Sequence, residues 1–369
     1  MTVTDETAAP SADWDTPAPK HVSRWWWALL TLVVVVFAAV VAGFWIRLPY
    51  YTISPGGELP VNPRVKVQGA KTYPPKGDVL LLFVRERARV NVWRYVQARL
   101  DPEIDLFKEK DILQGSTPQQ LRTQAEVDMA NAQRDAKVVA LETVGYKLPV
   151  EPGAFVRETV PGTPAGSALQ HGDVILSVDG KPLRKIDDLS KAIKLHRAGE
   201  QVTLTVRRNG RVRTIRVATK RDRVVGIVIG VSVSSVYKLP VNISIDTSDI
   251  GGPSAGLAMT LAVIDDLTPG NLTGGKQVAV TGTISENGQV GEIGGIEQKA
   301  VAAKAAGAQL FIVPKCTDPQ GRAGCQAELA RARKRSGNTP VVPVANVAEA
   351  LSALSKAGGD PVRQVAKAA

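Results

Sequence analysis

The stretch GGPSAGLAMTLAVIDDLTPGNLTGG, residues 251–275, decides the architecture of the C-terminal part of this chain. Gly252-Pro253-Ser254-Ala255-Gly256 places two glycines and a proline around one serine, a composition suited to a tight turn. The run that follows is apolar almost to Asp265, and Thr268-Pro269-Gly270 ends it. That spacing predicts a buried helix over 254–267. Around it, apolar runs predict strands at 241–245, 277–283 and 310–313, and helices at 296–306 and 347–354. Strands alternating with helices define an α/β or α+β unit.

The same turn matches G-x-S-x-G, which exposes a nucleophilic serine in α/β-hydrolases. On its own it fits equally a serine that merely caps a helix. A hydrolase triad runs serine, then acid, then histidine along the chain. The histidines are His21, His171 and His196, and all precede Ser254. A lysine is the next choice of base, and it must be neutral to take a proton. Its ordinary pKa of ~10.4 must therefore fall, as burial achieves. Lys299 sits in IGGIEQKAVAAKAAGA, residues 293–308. On a helix Ile296, Lys299, Ala300 and Ala303 share one face, so the amine has small and apolar neighbours. An isolated lysine on such a helix would fit a surface position as well. Ser235-Val236-Tyr237-Lys238 is a literal S-x-x-K, but it lies in a β-like stretch before Pro240 with no K-T-G downstream, and we read it as chance.

Residues 251–275, VAVTGTISENGQVGEIGGIEQKAVAAKAAGA (278–308) and LFIVP (310–314) together resemble, in order, the proteolytic domain of the Lon family, peptidase S16. The upstream EVDMANAQRDAKVVAL (126–141) is similar to the membrane-anchored, PDZ-bearing Lon-like relatives of Gram-positive bacteria and actinobacteria. The resemblance implies a Ser–Lys dyad, with Ser254 as nucleophile and Lys299 as base. Thr281 would steady the amine, and Gly252 would help shape the turn. It also implies ring assembly as a homo-oligomer. Lon proteases commonly carry an acidic residue three before the serine; here that position is Gly251, and Asp249 aligns only with a shift.

Upstream, TPAGSALQHGDVILSVDG (163–180) strongly resembles bacterial PDZ domains. Alternating strands at 202–206 and 212–217 and a helix at 186–195 complete a small β-rich unit. PDZ domains bind peptide segments or C-termini by strand addition. The resemblance implies a groove between a strand near Ala154–Val156 and the 186–195 helix, with Gly145–Leu148 one candidate for holding a carboxylate.

Further out, Trp25 to Ile46 runs with only Thr31 clearly polar. As a helix it spans ~33 Å, enough for a bilayer. Trp25-Trp26-Trp27 and Phe44, Trp45 and Tyr50 stand at its ends as interfacial belts do. The run is longer than a signal-peptide core, which favours an uncleaved single-pass anchor. Lys20 and Arg24 argue for an inside N-terminus, with Arg47 beyond the span opposing them. Cys316 and Cys325 bracket a short loop that a disulfide would close in an oxidising compartment; two free thiols are the alternative. Both hints put the bulk of the chain outside the cytoplasm.

The net charge of +11 is spread widely, with a denser stretch from Lys181 to Arg223. It suits an anionic membrane surface. Zinc-finger spacing, RNP-type aromatics and a basic heptad helix are absent, so no nucleic-acid partner is expected. No G-x-x-x-x-G-K-[ST] and no H-E-x-x-H occur, so neither cofactor nor metal is expected.

The expected fold is α+β: one transmembrane helix, a β-rich PDZ domain and a Lon-type α/β proteolytic domain. The expected boundaries are a tail (1–23), an anchor (24–47), a membrane-proximal α/β region (48–147), the PDZ domain (148–222), the proteolytic domain (223–356) and a C-terminal tail (357–369). The function this implies is an ATP-independent, cell-membrane serine endopeptidase acting on peptides or unfolded proteins. A membrane-tethered PDZ adaptor with a non-catalytic Lon-like scaffold is the alternative.

Overall fold

The computed structural model describes residues 23–248 and 250–365; Asp249 and the expected tail, apart from Ser23, fall outside them. Helix α1 (Arg24–Trp45) has a mean hydropathy of 2.6, is long and apolar enough to cross a membrane, and buries only Gly43. Then follow β1 (Tyr50–Pro60), β2 (Asp78–Arg87), α2 (Val92–Leu100), β3 (Asp105–Lys108) and α3 (Pro118–Thr143). A capping box starts α3: the Thr117 hydroxyl accepts from Gln120 N–H, and the Gln120 side chain accepts from Thr117 N–H.

The next unit holds β4 (Val150–Thr159), β5 (Val174–Val178), α4 (Ile186–Lys194), β6 (Gln201–Arg208), β7 (Arg211–Ala218) and β8 (Val231–Tyr237). Asn209 and Gly210 both take positive φ, the geometry of a tight hairpin turn between β6 and β7. The sheet order is β8-β4-β5-β6-β7, over a separate core that includes Val156, Ile175, Leu189, Ile193, Val202 and Leu204. Strand β8, which lies beyond the expected boundary at 222, pairs along β4 and covers what would otherwise be an open edge.

The chain then forms α5 (Gly256–Leu267), β9 (Gln277–Val280), α6 (Ile296–Ala305), β10 (Leu310–Pro314), α7 (Arg322–Arg335), β11 (Val341–Val344) and α8 (Val347–Lys356). Its strands do not make a sheet of their own. They join strands from before the PDZ-like unit in one mixed sheet of order β11-β10-β9-β2-β1-β3, with β9 parallel to both β2 and β10. Residues 48–147 and 223–356, separate in the sequence reading, thus share one sheet, and the β4–β8 unit is inserted between its strands.

Strand alternation divides that sheet between two cores. Val79, Leu81, Val278, Val280 and Ile312 face α3 and α5; Leu82, Ala279, Phe311 and Val313 face α6 and α7. Of the expected C-terminal tail, residues 357–365 pack on the first core through Val362 and Val365, and Val365 N–H bonds the Val144 carbonyl. Cys316 and Cys325 form a disulfide.

Candidate active site

The parallel strand β9 ends at Val280, and Thr281 and Gly282 follow. Crevices at the carboxyl ends of parallel strands are where α/β folds place their chemistry. Here α5 arrives from one face of the sheet and α6 from the other. Ser254 lies in a short 3-10 turn, Pro253–Ala255, that leads directly into α5. Gly282 N–H donates to the Ser254 carbonyl at 3.0 Å, and Leu257 N–H donates to Gly282 O at 3.1 Å. The serine turn is thereby tied to the end of β9.

Gly252 holds the approach to Ser254 with φ 90 and ψ 160, a region essentially reserved for glycine. Its N–H donates to the Ala125 carbonyl of α3 at 2.9 Å. Gly251 also abuts α3, since a Cβ there would stand 3.3 Å from the Ala125 Cβ. A longer acidic side chain at 251 would have to find room beside that helix. Gly252→Ala is expected to cost about 1–3 kcal/mol through backbone strain. Gly251→Ala, with no positive φ to lose, should cost less, and denaturant titration of the two variants measures the difference.

From α6, Lys299 reaches across. Its Nζ lies 3.0 Å from Ser254 Oγ and 3.1 Å from Thr281 Oγ1, and Thr281 Oγ1 stands 3.4 Å from the Ser254 carbonyl. The helix face read from the sequence is fully internal, with Ile296, Lys299, Ala300 and Ala303 each at most 3% exposed. Burial pushes the amine pKa down to about 8, against the weaker opposing fields of Glu328 and Glu86. Ser254 itself remains partly accessible. It opens onto a cleft walled by Ile53, Leu81, Phe83 and Val84, with Glu86 and Glu292 also lining it. Glu292 in turn accepts from Thr317 and Asp318 N–H, so the disulfide-closed loop is anchored beside the cleft.

The four residues singled out from sequence, Ser254, Lys299, Thr281 and Gly252, therefore meet at one place. Ser235 and Lys238 do not join them: Ser235 lies on β8 and Lys238 just beyond it. The peptide groove of the inserted unit, however, is displaced from its expected position. Ala154 and Val156 are fully buried, and β4 is hydrogen-bonded on both sides, to β8 and β5. A cavity lies instead between α4 (Ile186, Leu189, Ile193) and the 225–233 segment leading into β8, whose outer edge pairs with no strand among the described residues. Gly226 and Gly230, both with positive φ, bracket Ile227-Val228-Ile229 there. Leu148 packs on the proteolytic-side core, away from that groove.

Sequence reasoning missed the joint between the two cores. Asp135 of α3 is fully buried and takes both terminal nitrogens of Arg157 of β4, at 2.8 and 2.7 Å. Arg134 bonds Glu286 and the Ser235 carbonyl, and its guanidinium lies 4.5 Å from the Phe155 ring centre. The amphipathic pattern of α3 offered no local sign of where these charges would dock.

Residues 127–219 match the PDZ domain family, and residues 218–321 match the Lon protease (S16) C-terminal proteolytic domain. The chain thus carries a PDZ domain and a Lon-type proteolytic domain. A stretch of 82 residues is 44% identical to the Lon protease of Clostridioides difficile (strain 630), covering 21% of this chain and 9% of that one. Sixty-seven residues are 39% identical to the periplasmic pH-dependent serine endoprotease DegQ of Escherichia coli (strain K12), covering 18% and 15%. Sixty-nine are 42% identical to the magnetosome formation protease MamE of Paramagnetospirillum magneticum (strain AMB-1), covering 18% and 10%. The matched stretches span between 9% and 15% of the length of these curated relatives. Among solved structures, the PDZ domain of the SdrC-like protein of Listeria innocua superposes with a TM-score of 0.21 at 20% identity, covering 22% of this chain and 92% of that domain.

Proposed function

We propose that the chain is a membrane-anchored, ATP-independent serine endopeptidase in which Ser254 is the nucleophile and Lys299 the general base. The observation that carries this reading is the 3.0 Å approach of a buried lysine amine to an accessible serine hydroxyl. Neutral Lys299 takes the Ser254 proton as Oγ attacks the scissile carbonyl. The oxyanion forms at the start of α5, where the turn's N–H groups and the helix dipole favour negative charge. Protonated Lys299 then gives its proton to the leaving amine. In the second half-reaction it takes a proton from the water that hydrolyses the acyl-enzyme, and Ser254 recovers its proton. Thr281 holds the amine in line throughout, and Gly252 keeps the serine turn in shape.

The PDZ groove between α4 and the 225–233 segment is read as the site that recruits peptide segments or C-termini by strand addition to β8. The apolar α1 and the Cys316–Cys325 disulfide support a single-pass anchor with an extracytoplasmic body. Absence of a G-x-x-x-x-G-K-[ST] motif from these residues supports nucleotide independence. The test is hydrolysis of casein or a fluorogenic peptide by the full chain. Ser254→Ala is expected to fall to background and to lose covalent labelling by a serine-directed phosphonate. Wild-type activity and labelling in that variant would reject the assignment.

A further inference from the structure

Helix α2 presents an apolar face that, apart from the contact of Trp93 with α1, no described residue covers. Trp93, Val96 and Leu100 are 37%, 41% and 79% exposed, and at ~100° per residue they fall within about 60° of one another. Ala98, on the opposite side, is the helix's buried residue. Three observations say what lies against that face.

First, α2 is clipped to the exit of α1. Arg47 and Asn91 form an isolated antiparallel bridge, and Leu48 N–H donates to the Val90 carbonyl at 2.8 Å. Second, Trp93 reaches into α1 itself. Its Nε1 donates to the Val40 carbonyl at 2.9 Å, its ring lies 6.2 Å from that of Phe44, and a Cβ on Gly43 would come within 2.6 Å of it. That close approach accounts for the one buried residue of α1. From Val40 to Trp45, α1 rises about 7–8 Å, which matches the depth of roughly 5–10 Å at which interfacial helices bury their apolar face. Third, the flank is basic. Arg47, Arg87 and Arg99 are exposed and make no ion pair among the described residues, and Arg99 stands on α2 beside the apolar face.

We propose that α2 is an interfacial helix, lying along the headgroup–acyl boundary of an anionic bilayer with Trp93, Val96 and Leu100 in the lipid and the arginines at the phosphates. This rests on the reading of α1 as a span. It has a consequence for the active site, because β2, whose Phe83 and Val84 wall the cleft, runs almost directly into α2. The cleft is then held next to the membrane surface instead of swinging free on a tether.

Both cysteines are in the disulfide, so an added cysteine can be labelled alone. The full chain is reconstituted in vesicles with about a third anionic lipid, with a polarity-sensitive fluorophore at Leu100→Cys, Val35→Cys (inside α1) or Val224→Cys (92% exposed, on the PDZ domain). The Leu100 label should be blue-shifted, quenched severalfold more by shallow spin-labelled lipid than by aqueous iodide, and weaker in both respects in purely zwitterionic vesicles. The Val224 label should behave as in water. A Leu100 label as iodide-accessible as Val224, with Val35 still in lipid, would overturn the interfacial helix and leave the anchor standing. Val35 and Leu100 both accessible to iodide would overturn the anchor as well.

Discussion

Lys299→Ala is expected to lower peptide hydrolysis by about 10²–10⁴-fold, the range that a positioned general base contributes. Lys299→Arg should not rescue it, because a guanidinium does not release its proton near neutral pH. On the proposed mechanism the active form in the wild type is the neutral amine. Its pKa, lowered by burial from 10.5 to about 8, makes the rate rise with pH and level off above about 8. The opposing field of Glu86 gives a second handle: Glu86→Gln should move the profile to lower pH. The same burial has a stability consequence of definite sign. A lysine whose folded pKa lies below its unfolded value holds fewer protons when folded, so stability increases as pH rises through the window from about 8 to 10.5. Below that window the charged amine costs about 3 kcal/mol, at 1.36 kcal/mol per pKa unit. Lys299→Met should therefore abolish hydrolysis yet raise the denaturation midpoint at pH 7. A flat pH–rate profile between about 6 and 9, together with a destabilised Lys299→Met, would exclude Lys299 as the base.

Ser254 and Lys299 could be picked out because each carries a local signature, inconclusive alone, and the resemblance to the Lon family joined the two. A serine between glycines at a helix start and a lysine on an alanine-rich face are patterns of adjacent residues, and their pairing is what the ordered motifs of the resemblance imply. What escaped is nonlocal. Gln277 pairs with Asp78 across the whole inserted PDZ domain, and nothing in either short run names its partner. Strand β1 escaped for another reason: Pro55, Gly56 and Gly57 break the β pattern. The structure accommodates them with a register shift against β2 between Pro55 and Gly57. At Gly56 the backbone approaches so closely that a Cβ would sit 2.3 Å from the Phe83 carbonyl oxygen. The PDZ groove was misplaced because the β4 sequence shows a strand but not which of its edges is free. That depends on β8, which arrives only after β7, α4 and two further strands are in place.

Asp135→Ala is expected to destabilise the full chain by about 3–5 kcal/mol, the cost of leaving one partner of a buried ion pair alone. The Asp135 side chain is completely buried and gripped by two Arg157 nitrogens, so its loss strands a guanidinium that is only 24% exposed. Glu286, 3.3 Å from Arg157 and 21% exposed, offers partial compensation and pulls the expected value toward the lower end. Removing both partners should recover much of the loss, because a buried pair contributes little net stability once its desolvation is counted. The double variant Asp135→Ala with Arg157→Met is therefore expected to lie closer to wild type than Asp135→Ala alone, and a double-mutant cycle from urea titrations gives the coupling. The pair joins α3, whose Ala125 carbonyl holds Gly252, to β4, which carries the groove strand β8 along its edge. Breaking it should thus also loosen the serine turn: hydrolysis should fall in Asp135→Ala and recover in the double variant in step with stability. Lost hydrolysis at unchanged stability would instead mean that the joint acts on the cleft directly rather than by holding the two domains together.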